Sequence, residues 1–172
     1  MIDQPLTLPC GATVKNRVLK SAMSESLGNS LHLPDERLQT LYARWSQGGV
    51  GVLVTGNIMI DPKALGEPDN VILEGTTPLD SFTKWTRAST DNDTAIWAQL
   101  NHPGKQAMPY INEKAYAPSA IGFNSQLKYG FPVPRALIEP EITDIIDRFG
   151  CSALRAKEAG FTGVQIHGAH GY

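Results

Sequence analysis

The stretch "NRVLKSAMSESLGN" (Asn16–Asn29) decides between the folds open to this chain. Its first half, Asn16–Met23, is a short apolar run that reads as a β-strand; its second half is a polar loop. A strand that opens a dinucleotide-binding sheet runs into G-x-G-x-x-G, whose glycines let the backbone close on a pyrophosphate. Here the strand runs into Ser21–Ser26, and no glycine appears until Gly28. The loop offers hydroxyls and a carboxyl group where a phosphate cradle would need bare backbone.

Outward from this stretch the chain alternates. Upstream, "LTLPCGATVKN" turns at Gly11-Ala12 and predicts a small antiparallel hairpin. Downstream, "DERLQTLYARWSQGG" (Asp35–Gly49) predicts a helix, because Leu38, Leu41, Tyr42 and Trp45 recur at i, i+3, i+4 and i+7. Asp35 lies in its first turn and Gly48-Gly49 stops it. "VGVLVTG" (Val50–Gly56) has the β-branched content of a buried strand. A helix over Thr77–Thr90 and a strand over Ala95–Leu100 follow. A long Pro/Gly/Tyr-rich connection, about Asn101–Pro140, is of a length that usually carries function. Then Ile142, Ile145, Ile146, Phe149, Ala153 and Ala156 form an apolar helical stripe, closed by Gly160. "FTGVQIH" (Phe161–His167) is the fourth strand.

The order β-α-β-α-β-α-β predicts a parallel sheet in an α/β fold. A doubly wound sheet and part of a (β/α)8 barrel both fit that order. Polar groups collect at the C-terminal end of every strand: Ser21–Ser26, Thr55–Asn57, Gln99–His102 and His167–Tyr172. Barrel enzymes keep their catalytic groups there, and the reading is therefore a TIM barrel. A whole barrel needs eight strands and about 250 residues. The 172 residues hold four βα units after the hairpin, so we expect one domain over residues 1–172 forming the N-terminal half of a barrel. The complementary C-terminal half-barrel, or a homo-oligomer, is the expected partner.

Composition narrows the function classes. Lys and Arg number 15 against 17 Asp and Glu, which predicts no general affinity for nucleic acid or an anionic membrane. The longest apolar run, around Gly49–Val54, is far short of the roughly 20 residues that span a bilayer. The start "MIDQPLTLPCG" lacks the basic and apolar regions of a signal peptide. Two distant cysteines, Cys10 and Cys151, suit free thiols and a cytoplasmic, reducing location.

Two motifs carry chemistry. In "QLNHPGKQ" (Gln99–Gln106), Gln99 ends a strand with an amide that both donates and accepts, which suits the edge of a heterocycle; a loop glutamine satisfied by backbone is the plainer reading. In "HGAHGY", His167 and His170 stand three apart. A zinc pair more often stands at i and i+4 of a helix with an added acid, and the spacing here disfavours it. Two readings remain: a structural pair beside glycines, or imidazole donors for an oxygen on which negative charge develops. Gly168 and Gly171 would admit a flat ligand, and Tyr172 is a candidate general acid.

"KNRVLKSAMSESL" (Lys15–Leu27), "AQLNHPGKQA" (Ala98–Ala107) and "EAGFTGVQIHGAHGY" (Glu158–Tyr172) resemble, in order and spacing, the old yellow enzyme family of FMN-dependent NAD(P)H:flavin oxidoreductases and ene-reductases. The resemblance runs essentially from end to end and is nearest to the NADH:flavin oxidoreductase / NADH oxidase branch. It implies FMN at the C-terminal mouth of the barrel, NAD(P)H as reductant, and a small electron-poor alkene as substrate. It implies that Ser21, Ala22, Met23 and Ser24 line the flavin ring, that Gly56 passes close to it, and that Gln99 bonds its pyrimidine edge. His167 and His170 would grip the substrate oxygen, His167 also touching the flavin, and Tyr172 would be the proton donor. Two positions depart from familiar members: Ser24 stands where Cys or Thr often tunes the flavin, and Ser26 where some members carry a substrate-contacting Tyr. Glu25, near the mouth, has two readings: a partner for a basic residue outside this chain or, the favoured one, a solvated acid.

Overall fold

The structure, a computed structural model, describes residues 1–124 and 126–172; Ser125, within the long connection, lies outside the described residues. A hairpin, β1 (Leu6–Thr7) and β2 (Thr13–Val14), pairs antiparallel as expected around Gly11. Then come β3 (Leu19–Lys20), α1 (Glu36–Gln47), β4 (Val52–Met59), β5 (Val71–Ile72), α2 (Asp80–Thr90) and β6 (Ala95–Asn101). The long connection holds the short pair β7 (Tyr116–Ala117) and β8 (Arg135–Ala136), and α3 (Glu139–Glu158) and β9 (Gly163–Ile166) complete the chain.

The main strands are hydrogen-bonded in the order β3-β4-β6-β9, all parallel, which is also their order in sequence. A doubly wound sheet reverses its strand order at a switch point. A barrel does not, so the order selects the half-barrel. One feature was not anticipated: β5 adds two residues of parallel pairing to the upper end of β4.

Side chains alternate across this sheet. Leu53, Ile58, Ile96, Ala98 and Leu100 pack with Leu38 and Tyr42 of α1, Phe82 and Trp85 of α2, and Ala156 of α3 in one helix-facing core. Val52 and Val54 face the other way and meet Val14, Leu6 and Leu8, so the hairpin floors the half-barrel. Trp85 anchors the helix side, with its ring edge-on to Tyr42 at 5.0 Å and to Phe161 at 5.7 Å. Such aromatic pairs add about 0.5–1.5 kcal/mol each beyond burial.

Two expectations are corrected. The first strand is ladder-bonded only over Leu19–Lys20, because Asn16 turns its side chain onto Val18 N–H and Gly49 O and ends the extended run. The α3 stripe is only partly covered. Ile145, Phe149, Ala153 and Ala156 pack against the core, whereas Ile146 is 63% exposed. Among the described residues that flank, together with Val164 (41%) and Ile166 (55%) on the helix side of β9, stays exposed.

Candidate active site

Four strand ends converge at the mouth. On β4 the register with β6 slips between Val54 and Asn57, which leaves Thr55 and Gly56 in a bulge. Bulges re-aim side chains and free backbone groups, and they recur beside active sites. Here the Thr55 hydroxyl accepts the Gln99 N–H at 2.9 Å and donates to Gly56 O at 2.8 Å. The bulge therefore seats Gln99, which is 8% exposed on the face opposite the helices. Gln99 donates through Nε2 to Gln165 Oε1 at 2.8 Å, its neighbour across β9.

The histidine loop follows Gln165. His167 N–H continues the ladder to Leu100 O at 2.9 Å. Its ring Nδ1 accepts Ala169 N–H at 3.3 Å. That bond assigns the tautomer: in the neutral ring the proton sits on Nε2, which becomes a donor. Burial, and then the neighbouring His170, hold the His167 pKa below its ordinary value, so the neutral form is favoured. The His170 ring lies 6.2 Å from that of His167, and the Tyr172 ring lies 4.5 Å from it. Burial and the charge of Glu67 raise the Tyr172 phenol, which therefore stays protonated at neutral pH. His170 has φ of +61°, a left-handed conformation rare for a non-glycine residue. Backbone strain of this kind persists where the surroundings over-determine it, as they do here. Gln106 Nε2 bonds His170 O at 2.5 Å, and a Cβ on Gly104 would stand 2.6 Å from Gly171 O. The two chemical motifs of the sequence are thus packed against each other.

The loop after β3 completes the mouth. Met23 is half exposed, and its carbonyl lies so close to Gly56 that a Cβ there would come within 2.3 Å of it. Glycine at 56 is required by this loop, whatever else approaches it. Ser24 and Ser26 both donate to the Glu67 carboxylate, the latter at 3.3 Å. Glu67 sits on a turn pinned by the buried Asn70, whose Oδ1 accepts Gly66 N–H and Glu67 N–H. Glu25 corrects the sequence reading. Its side chain is 10% exposed and pairs with Lys20 at 3.2 Å.

The site thus gathers Ser21–Ser24, Gly56, Gln99, His167, His170 and Tyr172 along one rim, on the four neighbouring strands β3, β4, β6 and β9. The sequence did not point to Lys20, Tyr42, Glu67 or Gln165. Each acts by meeting a residue distant in the chain, and no local periodicity marks such a meeting. A cavity of about 580 Å³ also borders His167 and Tyr172. Ile166 and α3 line it, so it lies on the helix side of β9, away from the face that carries Gln99.

The sequence profile of the NADH:flavin oxidoreductase / NADH oxidase family matches residues 2–172. The chain belongs to this family. Over 98% of its length it is 34% identical to the NADH-dependent flavin oxidoreductase iliE of Hypocrea jecorina (strain QM6a), of which it covers 46%. It is 31% identical over 92% of its length to an NADH oxidase of Thermoanaerobacter brockii, of which it covers 24%. The old yellow enzyme homologue of Zymomonas mobilis superposes with a TM-score of 0.86 at 28% identity, over 99% of this chain and 49% of that one. The chain therefore spans about half the length of its fungal relative and of the solved barrel, and its fold is that of an N-terminal half-barrel.

The family uses FMN with NAD(P)H as reductant. The residues at the mouth fit the ring of that cofactor. The Gln99 amide is buried, faces inward and is oriented by Gln165, so it offers acceptor and donor atoms to the alternating edge of a pyrimidine. The Met23 carbonyl lies against Gly56 of the bulge that seats Gln99.

Proposed function

We propose that this chain supplies the flavin-ring and substrate-oxygen side of the active site of an FMN-dependent oxidoreductase, which delivers hydride from NAD(P)H to an alkene made electron-poor by a carbonyl or nitro group. The observation that carries this reading is the Ala169 N–H bond to His167 Nδ1. It leaves Nε2 as the donor of the neutral ring, with the rings of His170 and Tyr172 beside it at 6.2 and 4.5 Å. When bound, FMN supplies the redox chemistry, and the protein orients and polarises. Ser21, Ala22, Met23, Ser24 and Gly56 would bound the ring, and Gln99 would take its pyrimidine edge. His167 and His170 donate to the substrate oxygen, and their bonds strengthen as negative charge builds there. Tyr172 holds the proton that the α-carbon needs.

Anaerobic stopped-flow kinetics on the complete FMN-loaded enzyme, with both halves of the barrel present, tests this. NADH should bleach the flavin, and 2-cyclohexenone should restore its colour. His167→Ala or His170→Ala should slow the restoring step about 100-fold, the usual cost of one oxyanion donor, and affect bleaching less. Equal loss in both half-reactions would assign the histidines a structural role. Tyr172→Phe should slow alkene reduction by a similar factor; an unchanged rate removes it as the acid.

A second observation bears on completeness. Among the described residues β9 pairs only with β6, and Val164 and Ile166 are uncovered. We propose that the complementary half of the barrel covers this edge and completes the site before turnover. Isothermal titration of the 172-residue chain with FMN should then show weak binding without turnover. Micromolar affinity with turnover would overturn this reading.

A further inference from the structure

Ser21–Ser26 has no helical or strand structure of its own, yet it lies in direct contact with the β4 bulge. One carboxylate accounts for this. Glu25 Oε2 accepts the N–H of Gly56, the donor that the bulge withdraws from the ladder, at 3.2 Å. Its Oε1 accepts the Tyr42 hydroxyl of α1 at 2.5 Å and the Lys20 ammonium of β3 at 3.2 Å. Lys20 is itself tied down. Its Nζ donates to Val54 O at 2.8 Å and lies over the rings of Tyr42 and Trp45, 5.0 and 4.6 Å from their centroids. Lys20 and Glu25 are only 13% and 10% exposed. Donors from a strand, a helix and a bulge therefore converge on one buried acid.

We propose that Glu25 is a positioning residue: with Lys20 and Tyr42 it sets where the segment Ser21–Ser24 lies over Gly56, and so where the flavin ring can sit. This rests on the reading above that Ser21–Ser24 and Gly56 bound that ring. The alternative is that the cluster merely stabilises the core, and the physics of buried charge separates the two. Desolvation consumes most of the attraction of a buried ion pair, and apolar residues of similar volume often replace one at no loss of stability. Burial indeed lowers the Lys20 pKa against the pull of Glu25, and it raises the Tyr42 phenol. What apolar residues cannot replace is the acceptor for Gly56 N–H. Without it, the bulge and the loop above it lose the bond that joins them.

The test uses the 172-residue chain with two variants, Glu25→Ala and the double variant Lys20→Met/Glu25→Leu. Three readouts apply: the urea midpoint, hydrogen exchange at the Gly56 amide, and the dissociation constant for FMN. The double variant should recover the wild-type midpoint while Gly56 still exchanges about tenfold faster or more and FMN binds about tenfold more weakly. Glu25→Ala, which removes both acceptor oxygens, should show the same fast exchange, and it serves alone if the double variant does not fold. Gly56 protection that returns together with the midpoint, or that Glu25→Ala leaves unchanged, would overturn the proposal. If the wild-type chain binds no FMN, the cofactor reading fails separately. Hydrogen exchange still decides whether Glu25 positions the segment.

Discussion

His102 and His167 use the same device. Each ring accepts a backbone N–H two residues further on through Nδ1, His102 from Gly104 at 3.1 Å and His167 from Ala169 at 3.3 Å. Both bonds require an unprotonated Nδ1, and both turns carry glycine nearby. At His102 burial is the chief cause that lowers the pKa; Asp61 opposes it and Arg148 reinforces it. The folded ring therefore titrates below the ordinary value of about 6.5. Its sign follows. Above that value the ring is neutral in both states and the bond is intact. As pH falls, the unfolded chain takes up the proton first, and stability is lost until the folded ring titrates too. We predict that the urea midpoint of the chain drops between about pH 8 and about pH 5. His102→Gln should recover part of that drop, on the order of the 1 kcal/mol of one net hydrogen bond. An equal drop in the variant would clear His102 of the effect.

At the scale of elements, helix limits were legible wherever a local side chain sets them. Asp35, which the sequence places in the first turn of α1, stands one position earlier as its cap, and its Oδ1 accepts Arg37 N–H at 2.9 Å. Gly160 ends α3 with φ of +93°, and a Cβ there would stand 3.0 Å from Thr86 Oγ1, which itself bonds Ala159 O at 2.6 Å. Gly160→Ala should destabilise the chain by about 1–2 kcal/mol, the cost of a left-handed conformation for an L-residue. Urea denaturation followed by circular dichroism would measure it, and an unchanged midpoint would mean the cap relaxes freely. Strand limits were less legible. β3 is shorter than its apolar run, and β4 runs on to Met59 through the bulge. Whether a residue belongs to a ladder depends on the neighbouring strand, which its own sequence does not specify.

For the whole molecule, the uncovered flank is the consequential feature. Ile146 and Leu154 of α3 continue onto Val164 and Ile166 of β9, all more than 40% exposed. An open strand edge beside an apolar face promotes association. We predict that the chain sediments above its 18.7 kDa monomer mass at micromolar concentration. Ile146→Lys with Ile166→Lys should shift it toward monomer, since two charges on the face oppose its burial. A monomeric wild-type chain in the ultracentrifuge would show that the face tolerates water. The apolar stripe of α3 was readable from its period. That one flank of it stays bare was not, because periodicity reports which face is apolar and not what covers it.

By itself the sequence determined the alternation of strands and helices, the half-barrel they build, and the residues of the two chemical motifs. Those follow from hydrophobic period, cap residues and the placing of polar groups at strand ends, all local properties. Only the tertiary structure decided how the motifs meet: Gly104 against Gly171, Gln99 against Gln165, and Glu25 between Lys20, Tyr42 and Gly56. Glu25 shows the reason. Read along the chain it is a charged loop residue that water should solvate. In the fold three donors from separate elements surround it, and the cost of burying its charge is offset by partners that chain order does not place beside it.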